Sequence, residues 1–183
     1  MEVKTDSIGK IAQLLRKEND RSVAIIGASL IEVQLEELLS KGMIDHKEVP
    51  SFFKGYAPLA SLSAKASLAV FLGLIPVDVF KDITYIRKIR NEFAHSHEDI
   101  DFSKPPISDF ISNLISVKWF LYCMPLADKP ITKAEEEEIR TVPRRTFDIA
   151  ASIISWHLDR YVEAIQKPEA KKGAFIFPPH LKS

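Results

Sequence analysis

"DRSVAIIGASLIEVQLEELLSKG", residues 20–42, is the stretch that decides the fold. Its apolar residues recur at helical spacing and surround most of the predicted helix, which is typical of a central, largely buried element. Asp20 is a candidate N-cap, and Gly42 is a candidate terminator directly after the helix. Glu32 and Glu36 lie one turn apart on the polar strip that remains.

Similar patterns predict helices on both sides of this stretch. Pro, Gly, Asp or Asn residues bound a short amphipathic block before it and longer blocks after it. The predicted ranges are 7–17, 58–72, 76–95, 105–124 and 143–165. The segment 126–142 contains "AEEEEIR", which could form a helical turn but is interpreted mainly as a solvated acidic run.

Together these blocks predict an all-α fold, a single-domain bundle of about six helices. The chain contains only six Gly and no internal repeat, which argues against a turn-rich β architecture. We assign residues 1–166 to the helical domain and residues 167–183 to a basic, Pro-containing tail. This tail is expected either to dock on the domain or to meet a partner.

Composition limits the classes of function. Twenty-five basic residues balance twenty-five acidic ones in a chain of 183 residues, so binding to DNA would need a local basic patch. Cys123 is the only cysteine, which excludes a disulfide framework and a thiolate metal cluster and fits a reducing cytoplasm. No apolar run approaches the roughly twenty residues of a membrane span, and the N-terminus lacks an apolar signal core.

"RKIRNEFAHSHEDIDF", residues 87–102, places an Arg, an Asn and a His where a predicted helix ends. On a helical wheel Arg90 falls inside the apolar stripe formed by Val79, Ile83, Ile86, Ile89 and Phe93. An unpaired guanidinium at such a position would cost several kcal/mol. We therefore predict that Arg90 is held by a carboxylate or by carbonyl oxygens at a helix end, with Glu32 and Glu36 as the nearest candidates in type.

Asn91 and His95 are four residues apart and share a different face of this helix. In the last turn a His can bond to free carbonyl groups and is favoured there by the helix dipole when it is charged. The structural interpretation is a clamp in which Arg90 ties the helix to its neighbour while Asn91 and His95 fasten the following loop.

A catalytic interpretation of the same three residues stays open. The His95 imidazole could accept the 2′-hydroxyl proton of RNA, and the Arg90 guanidinium could neutralise charge on the phosphorane without any metal. On one regular helix the two side chains point about 140° apart. A joint site would therefore need the helix to unwind after Asn91, or a second protomer.

The loop after the helix invites a metal interpretation that its spacing does not support. The run contains imidazoles and carboxylates at His95, His97, Glu98, Asp99 and Asp101, but none of the ligand spacings that mark a known metal site. We expect a solvated acidic loop, with no metal and no cofactor. Ser103 is a candidate N-cap for the helix after it.

Four blocks of the sequence resemble the mannitol operon repressor family (MtlR-like) of bacterial proteins, in the same order and at similar spacing. They are "DRSVAIIGASLIEVQLEELL", "LSAKASLAVFLGLIP", "DVFKDITYIRKIRNEFAHS" and "DFSKPPI". The resemblance covers about residues 20–124, and "IRKIRNEFAH" is its most specific part. Related R-N-x-x-x-H strings occur in the wider HEPN group of helical domains, some of which are RNases. The resemblance implies an all-helical transcriptional regulator of sugar-alcohol uptake genes.

How such a regulator would act is a separate question. "RKIR" and "PRRTF" are the only dense basic spots, with Arg144 and Arg145 as candidate nucleic-acid contacts, and no predicted helix offers a recognition face. The sequence favours a non-enzymatic regulator that acts through a protein partner and not by direct operator binding. The alternative is a HEPN-like, metal-independent RNase with a composite site of Arg90, Asn91 and His95 across a homodimer.

Overall fold

The computed structural model describes residue 11 and residues 13–123 and 131–169. Within these ranges the secondary structure is entirely helical, which confirms the predicted all-α bundle. Residues 13–16 are also helical and lead into the first long helix. The α-helices that follow are α1 (Asp20–Gly42), α2 (Leu62–Phe71), α3 (Val77–His95), α4 (Ile107–Ser112), α5 (Ile115–Cys123), α6 (Lys133–Thr141) and α7 (Pro143–Ala164). A short 3-10 helix, Val49–Phe53, lies in the connector after α1.

Helix α1 is the central element, as its apolar pattern predicts, and it packs against α7, α3 and α2. Its N-cap is Asn19, whose side chain accepts a hydrogen bond from the Ser22 N–H at 2.9 Å, and not the predicted Asp20. Gly42 is the last residue of the helix instead of the residue after it. A Cβ at Gly42 would lie 2.9 Å from Cδ1 of Ile165, so a larger residue there would require the Ile165 side chain to shift.

Helices α2 and α3 contact each other and are joined by a tight turn. Ser61 caps α2 by accepting the Ala64 N–H, so the helix begins later than the predicted Pro58. Gly73 has a φ of 69°, the left-handed conformation that ends many helices, and it confirms the predicted boundary. On α3 four of the five predicted stripe residues are buried: Ile83, Ile86, Ile89 and Phe93.

The helix predicted over 105–124 is two helices, α4 and α5, separated near Asn113. The break has a cause in another element. Asp82 of α3 is 1% exposed, and its carboxylate accepts the Ile115 and Ser116 N–H groups at 2.8 and 2.7 Å. These bonds satisfy the free donors at the start of α5, so a new helix begins there. The predicted N-cap Ser103 instead bonds to Asp101 in a turn.

The segment interpreted as a solvated acidic run contains a helix, α6. Thr132 and Glu135 form a capping box, with Thr132 N–H to Glu135 Oε2 at 2.9 Å and Glu135 N–H to Thr132 Oγ1 at 3.2 Å. Ile139 is buried and anchors α6 on α7. The acidic residues of this helix face outward, so the prediction was right about solvation and wrong about secondary structure.

Helix α7 buries Phe147, Ala150, Ile154 and Leu158 of the predicted stripe against the other helices. The helix ends at Ala164, close to the predicted end of the domain, and most of the predicted tail lies outside the described residues. Among the described helices, none is long and apolar enough to span a membrane.

Candidate functional site

The predicted ion pair between Arg90 and Glu32 or Glu36 is wrong. The half-buried Arg90 donates from Nη1 to the side-chain oxygen of its neighbour Asn91 at 3.1 Å. Both glutamates instead hold Lys65 of α2, whose Nζ lies 3.0 Å from Glu32 Oε1 and 3.1 Å from Glu36 Oε2. The polar strip of α1 therefore binds a buried cation, as its position suggested, but this cation is Lys65 and not Arg90.

Lys65 is the buried charge that joins α2 to α1. Its side chain is 4% exposed, whereas those of Glu32 and Glu36 are 23% and 40% exposed. The ammonium group is thus withdrawn from water while each carboxylate keeps some hydration. A sequence signal for this role existed, because Lys65 is the only charged residue of α2 and stands among small residues in "SAKAS".

The structure does not bring Arg90 and His95 together. Helix α3 continues without a break to His95, and the Ser96 N–H still bonds to the Glu92 carbonyl at 3.0 Å. His95 is exposed in the last turn, while Arg90 and Asn91 are half-buried. The unwinding that a catalytic site within one chain requires is therefore absent from this part of the helix.

The loop after His95 is fastened, but by residues of α1. Arg21 donates from Nη2 to the carbonyl oxygens of Ser96 and Glu98 at 3.1 and 3.5 Å. Asp20 accepts the Phe102 N–H at 3.4 Å. Among the described residues, neither Asn91 nor His95 takes part in this fastening. The loop is therefore held by Arg21 and Asp20, about 75 residues upstream, and not by the predicted clamp of Arg90, Asn91 and His95.

Phe102 fills the space beneath this loop. Its ring centroid lies 4.9 Å from that of Phe93 on α3 and 4.9 Å from that of Phe147 on α7. The Arg144 guanidinium lies 5.7 Å from the same ring. Phe102 thereby anchors the end of the loop in the core.

Arg144 is an internal anchor and not a free nucleic-acid contact. Its Nη1 lies 2.6 Å from Asp20 Oδ1, its Nε 3.1 Å from Asp148 Oδ1, and its Nη2 donates to the carbonyls of Leu15 and Glu18 at 2.8 and 3.0 Å. Burial raises the pKa of the Asp148 carboxyl, and the neighbouring Arg144 acts in the opposite direction. The donors of Arg144 are used within the protein.

Arg145 is also mostly enclosed, with a side-chain exposure of 11%. Its Nε lies 4.0 Å from Glu138 Oε2, and the buried Nε and Nη1 have no hydrogen-bond partner among the described residues. Burial and the nearby Arg16 lower the pKa of this guanidinium. Neither predicted nucleic-acid contact is arranged to bind phosphate, which corrects the prediction for Arg144 and Arg145.

The predicted acidic loop is exposed at His97, Glu98 and Asp99. Asp101 accepts hydrogen bonds from Ser103, and these bonds lower the pKa of its carboxyl. Among the described residues, no group of three or more His, Cys, Asp or Glu side chains is arranged to hold a metal ion.

A cavity that the sequence did not indicate lies between the start of α3, the start of α5 and the second half of α7. Its volume is about 260 Å³, and its lining includes Ser116, Trp119, His157 and Tyr161. Burial lowers the pKa of His157 and raises that of Tyr161, so both side chains are neutral near pH 7. Trp119 comes from α5, whereas His157 and Tyr161 come from α7, so no local pattern marks the three together.

Fold and site together define an all-helical bundle whose described buried charges mostly fasten one helix to another. The family model described as mannitol repressor (MtlR) matches residues 14–165. The chain therefore belongs to the mannitol repressor family, as its resemblance implied.

Two solved structures are similar in fold. One is the MtlR–HPr complex from Escherichia coli, with 17% identity, a TM-score of 0.56, and coverage of 86% of this chain and 98% of that chain. The other is a possible transcriptional regulator, YggD, from Shigella flexneri 2a strain 2457T, with 16% identity, a TM-score of 0.57, and coverage of 88% and 99%. A comparison with curated proteins finds no match.

Proposed function

We propose that this protein regulates transcription of a sugar-alcohol uptake operon in the bacterial cytoplasm, and that it acts by binding another protein. The observation that carries this proposal is the family match over residues 14–165, nearly the whole helical domain. The fold that the chain shares with two solved regulators or regulator complexes supports it.

The charges of the described residues argue against direct reading of an operator. The whole chain has no net charge, so long-range attraction to DNA would depend on a local basic face. Arg144 donates hydrogen bonds to two carboxylates and two backbone carbonyls, and Arg145 is mostly enclosed. The basic segment 143–147 therefore supports internal packing better than phosphate contacts.

An HPr-type protein is the partner that we propose. The similar Escherichia coli protein has been solved as a complex with HPr. On this chain, Trp119 and Tyr122 lie about one turn apart on α5 and are 45% and 77% exposed. Large exposed aromatic residues are enriched at protein interfaces, so this pair is the surface we expect a partner to cover.

Calorimetry with the purified chain and HPr from the same organism tests the partner. We expect a one-to-one complex that Tyr122→Ala weakens by about 10-fold, the effect of losing a contact worth about 1.4 kcal/mol. Tyr56→Ala is the matched control, because Tyr56 is fully exposed on the connector after α1. Equal weakening by both changes, or no complex at all, would contradict the proposal.

Gel retardation with the operon's promoter tests the mode of action. The chain alone should not retard the fragment even at low salt. Retardation that weakens steeply as salt rises would indicate direct DNA binding and would overturn this part of the proposal. A homodimer remains a prediction, which sedimentation velocity can check.

A further inference from the structure

The cavity beside α5 has the size and walls of a small-molecule site. Its volume is about 260 Å³, and an apolar cavity of about 150 Å³ is already large enough to bind benzene. Pro76, Val79 and Ile154 supply aliphatic walls. The cavity therefore has room for a ring that carries a small substituent.

Aromatic side chains form another part of the lining. The Trp119 ring meets the His157 ring edge-on, with centroids 4.8 Å apart and an interplanar angle of 68°. Tyr161 follows one turn along α7, with its ring centroid 6.1 Å from that of His157. Such a wall favours flat apolar ligands, which stack or meet it edge-to-face.

The charged groups around the cavity are already paired. Both carboxylate oxygens of Asp82 accept backbone N–H groups at the start of α5. Asp78 lies 3.0 Å from the ammonium group of Lys81. An anionic ligand would meet two carboxylates, and a cationic ligand would find both of them engaged, so an uncharged ligand fits best.

His157 supplies a polar atom for a ligand. Its Nδ1 lies 3.0 Å from the Ile153 carbonyl, which can only accept, so Nδ1 carries the proton. The Nε2 atom is then an acceptor in the neutral ring, and it can accept a hydrogen bond from a ligand hydroxyl.

We propose that this cavity binds an uncharged aromatic alcohol of the size of phenol. The ring lies against the Trp119 and His157 wall, and its hydroxyl donates to His157 Nε2. A linear polyol fits worse, because it carries a hydroxyl on every carbon and most of these would lose their water without a partner. This inference does not depend on the proposed protein partner.

Titration of the full chain with phenol tests the proposal, followed by tryptophan fluorescence and by calorimetry. We expect a Kd of about 0.1–1 mM, typical of an efficient ligand of this size. Toluene, which lacks the hydroxyl, should bind about 5-fold more weakly, and mannitol should not bind in this range. No binding of phenol at about 10 mM, or equal binding of mannitol, would overturn the proposal.

Two variants test whether phenol binds in the cavity. Val79→Phe fills it and should abolish phenol binding, whereas Val33→Phe, at a position 66% exposed on α1, should leave binding unchanged. His157→Phe keeps an aromatic ring in the wall and removes the acceptor, so the preference for phenol over toluene should fall. If Val79→Phe does not fold, His157→Phe decides, and an unchanged preference overturns the assignment.

Discussion

Lys65→Met removes the buried cation that joins α2 to α1, with little change in side-chain volume. In the native protein the Lys65 ammonium group lies 3.0 Å from Glu32 Oε1 and 3.1 Å from Glu36 Oε2, and the lysine side chain is 4% exposed. The change leaves two neighbouring carboxylates without their shared partner. Breaking a buried pair from one side is destabilising, because the remaining charge is uncompensated.

The expected loss follows from the distances and exposures. At an effective dielectric constant of about 20, two unit charges about 3 Å apart attract by about 5 kcal/mol. Desolvation of the lysine offsets much of this attraction. The stranded Glu32 and Glu36 repel each other but recover water, since they are 23% and 40% exposed. We expect the free energy of unfolding to fall by about 2–3 kcal/mol, below the range for fully buried pairs.

Urea unfolding followed by circular dichroism measures this loss. Lys81→Met is the matched control, because Lys81 lies at the same 3.0 Å from Asp78, but the two side chains are 53% and 62% exposed. The control should lose about 0.5 kcal/mol or less. Adding Glu32→Gln and Glu36→Gln to Lys65→Met should restore most of the stability. If the free energy of unfolding falls no more in Lys65→Met than in Lys81→Met, the reasoning is refuted.

Four further predictions use the same measurement. Arg144→Ala should lower the free energy of unfolding by about 3 kcal/mol, because it strands the 2% exposed Asp148; a loss below about 1 kcal/mol would contradict the anchor role. Asp82→Ala should lower it by about 2–3 kcal/mol, since two backbone N–H groups lose their acceptor, and an unchanged midpoint would refute the cap. Arg90→Ala should lower it by only about 1 kcal/mol, because the side chain bonds only to Asn91 among the described residues. Acidification from about pH 7.5 to about pH 5.5 should lower the free energy of unfolding more in the native protein than in the His157→Gln variant. Burial lowers the pKa of His157 in the folded state, so the unfolded chain takes up the proton first. Equal losses would show that His157 does not titrate in this window.

The start of α6 could have been predicted from the local sequence. The capping box of α6 is readable as Thr132 followed by Glu135, directly before the acidic run. The four consecutive glutamates suggested solvation and drew attention away from this start signal. The charge pattern indicates which residues meet water, whereas the capping box and the single buried Ile139 indicate that the segment is a helix.

The break between α4 and α5 could not be predicted locally. The segment over 105–124 has helical periodicity throughout, and the helix start at Ile115 depends on Asp82, which is 33 residues upstream. The predicted pairing of Arg90 with Glu32 or Glu36 was wrong for a related reason. The position of Arg90 on the wheel was right, but the wheel of one helix does not show which cation a neighbouring helix presents to Glu32 and Glu36.

The sequence by itself determined the helical class, the central position of α1 and the family, because apolar periodicity and capping residues act within a few turns of one helix. The tertiary structure alone decided which charges meet: Lys65 with the two glutamates, Arg144 with Asp20, and Arg21 with the loop after His95. It also created the aromatic cavity from α3, α5 and α7. Ion pairs and cavities depend on distances between helices, and those distances are fixed only when the whole core packs.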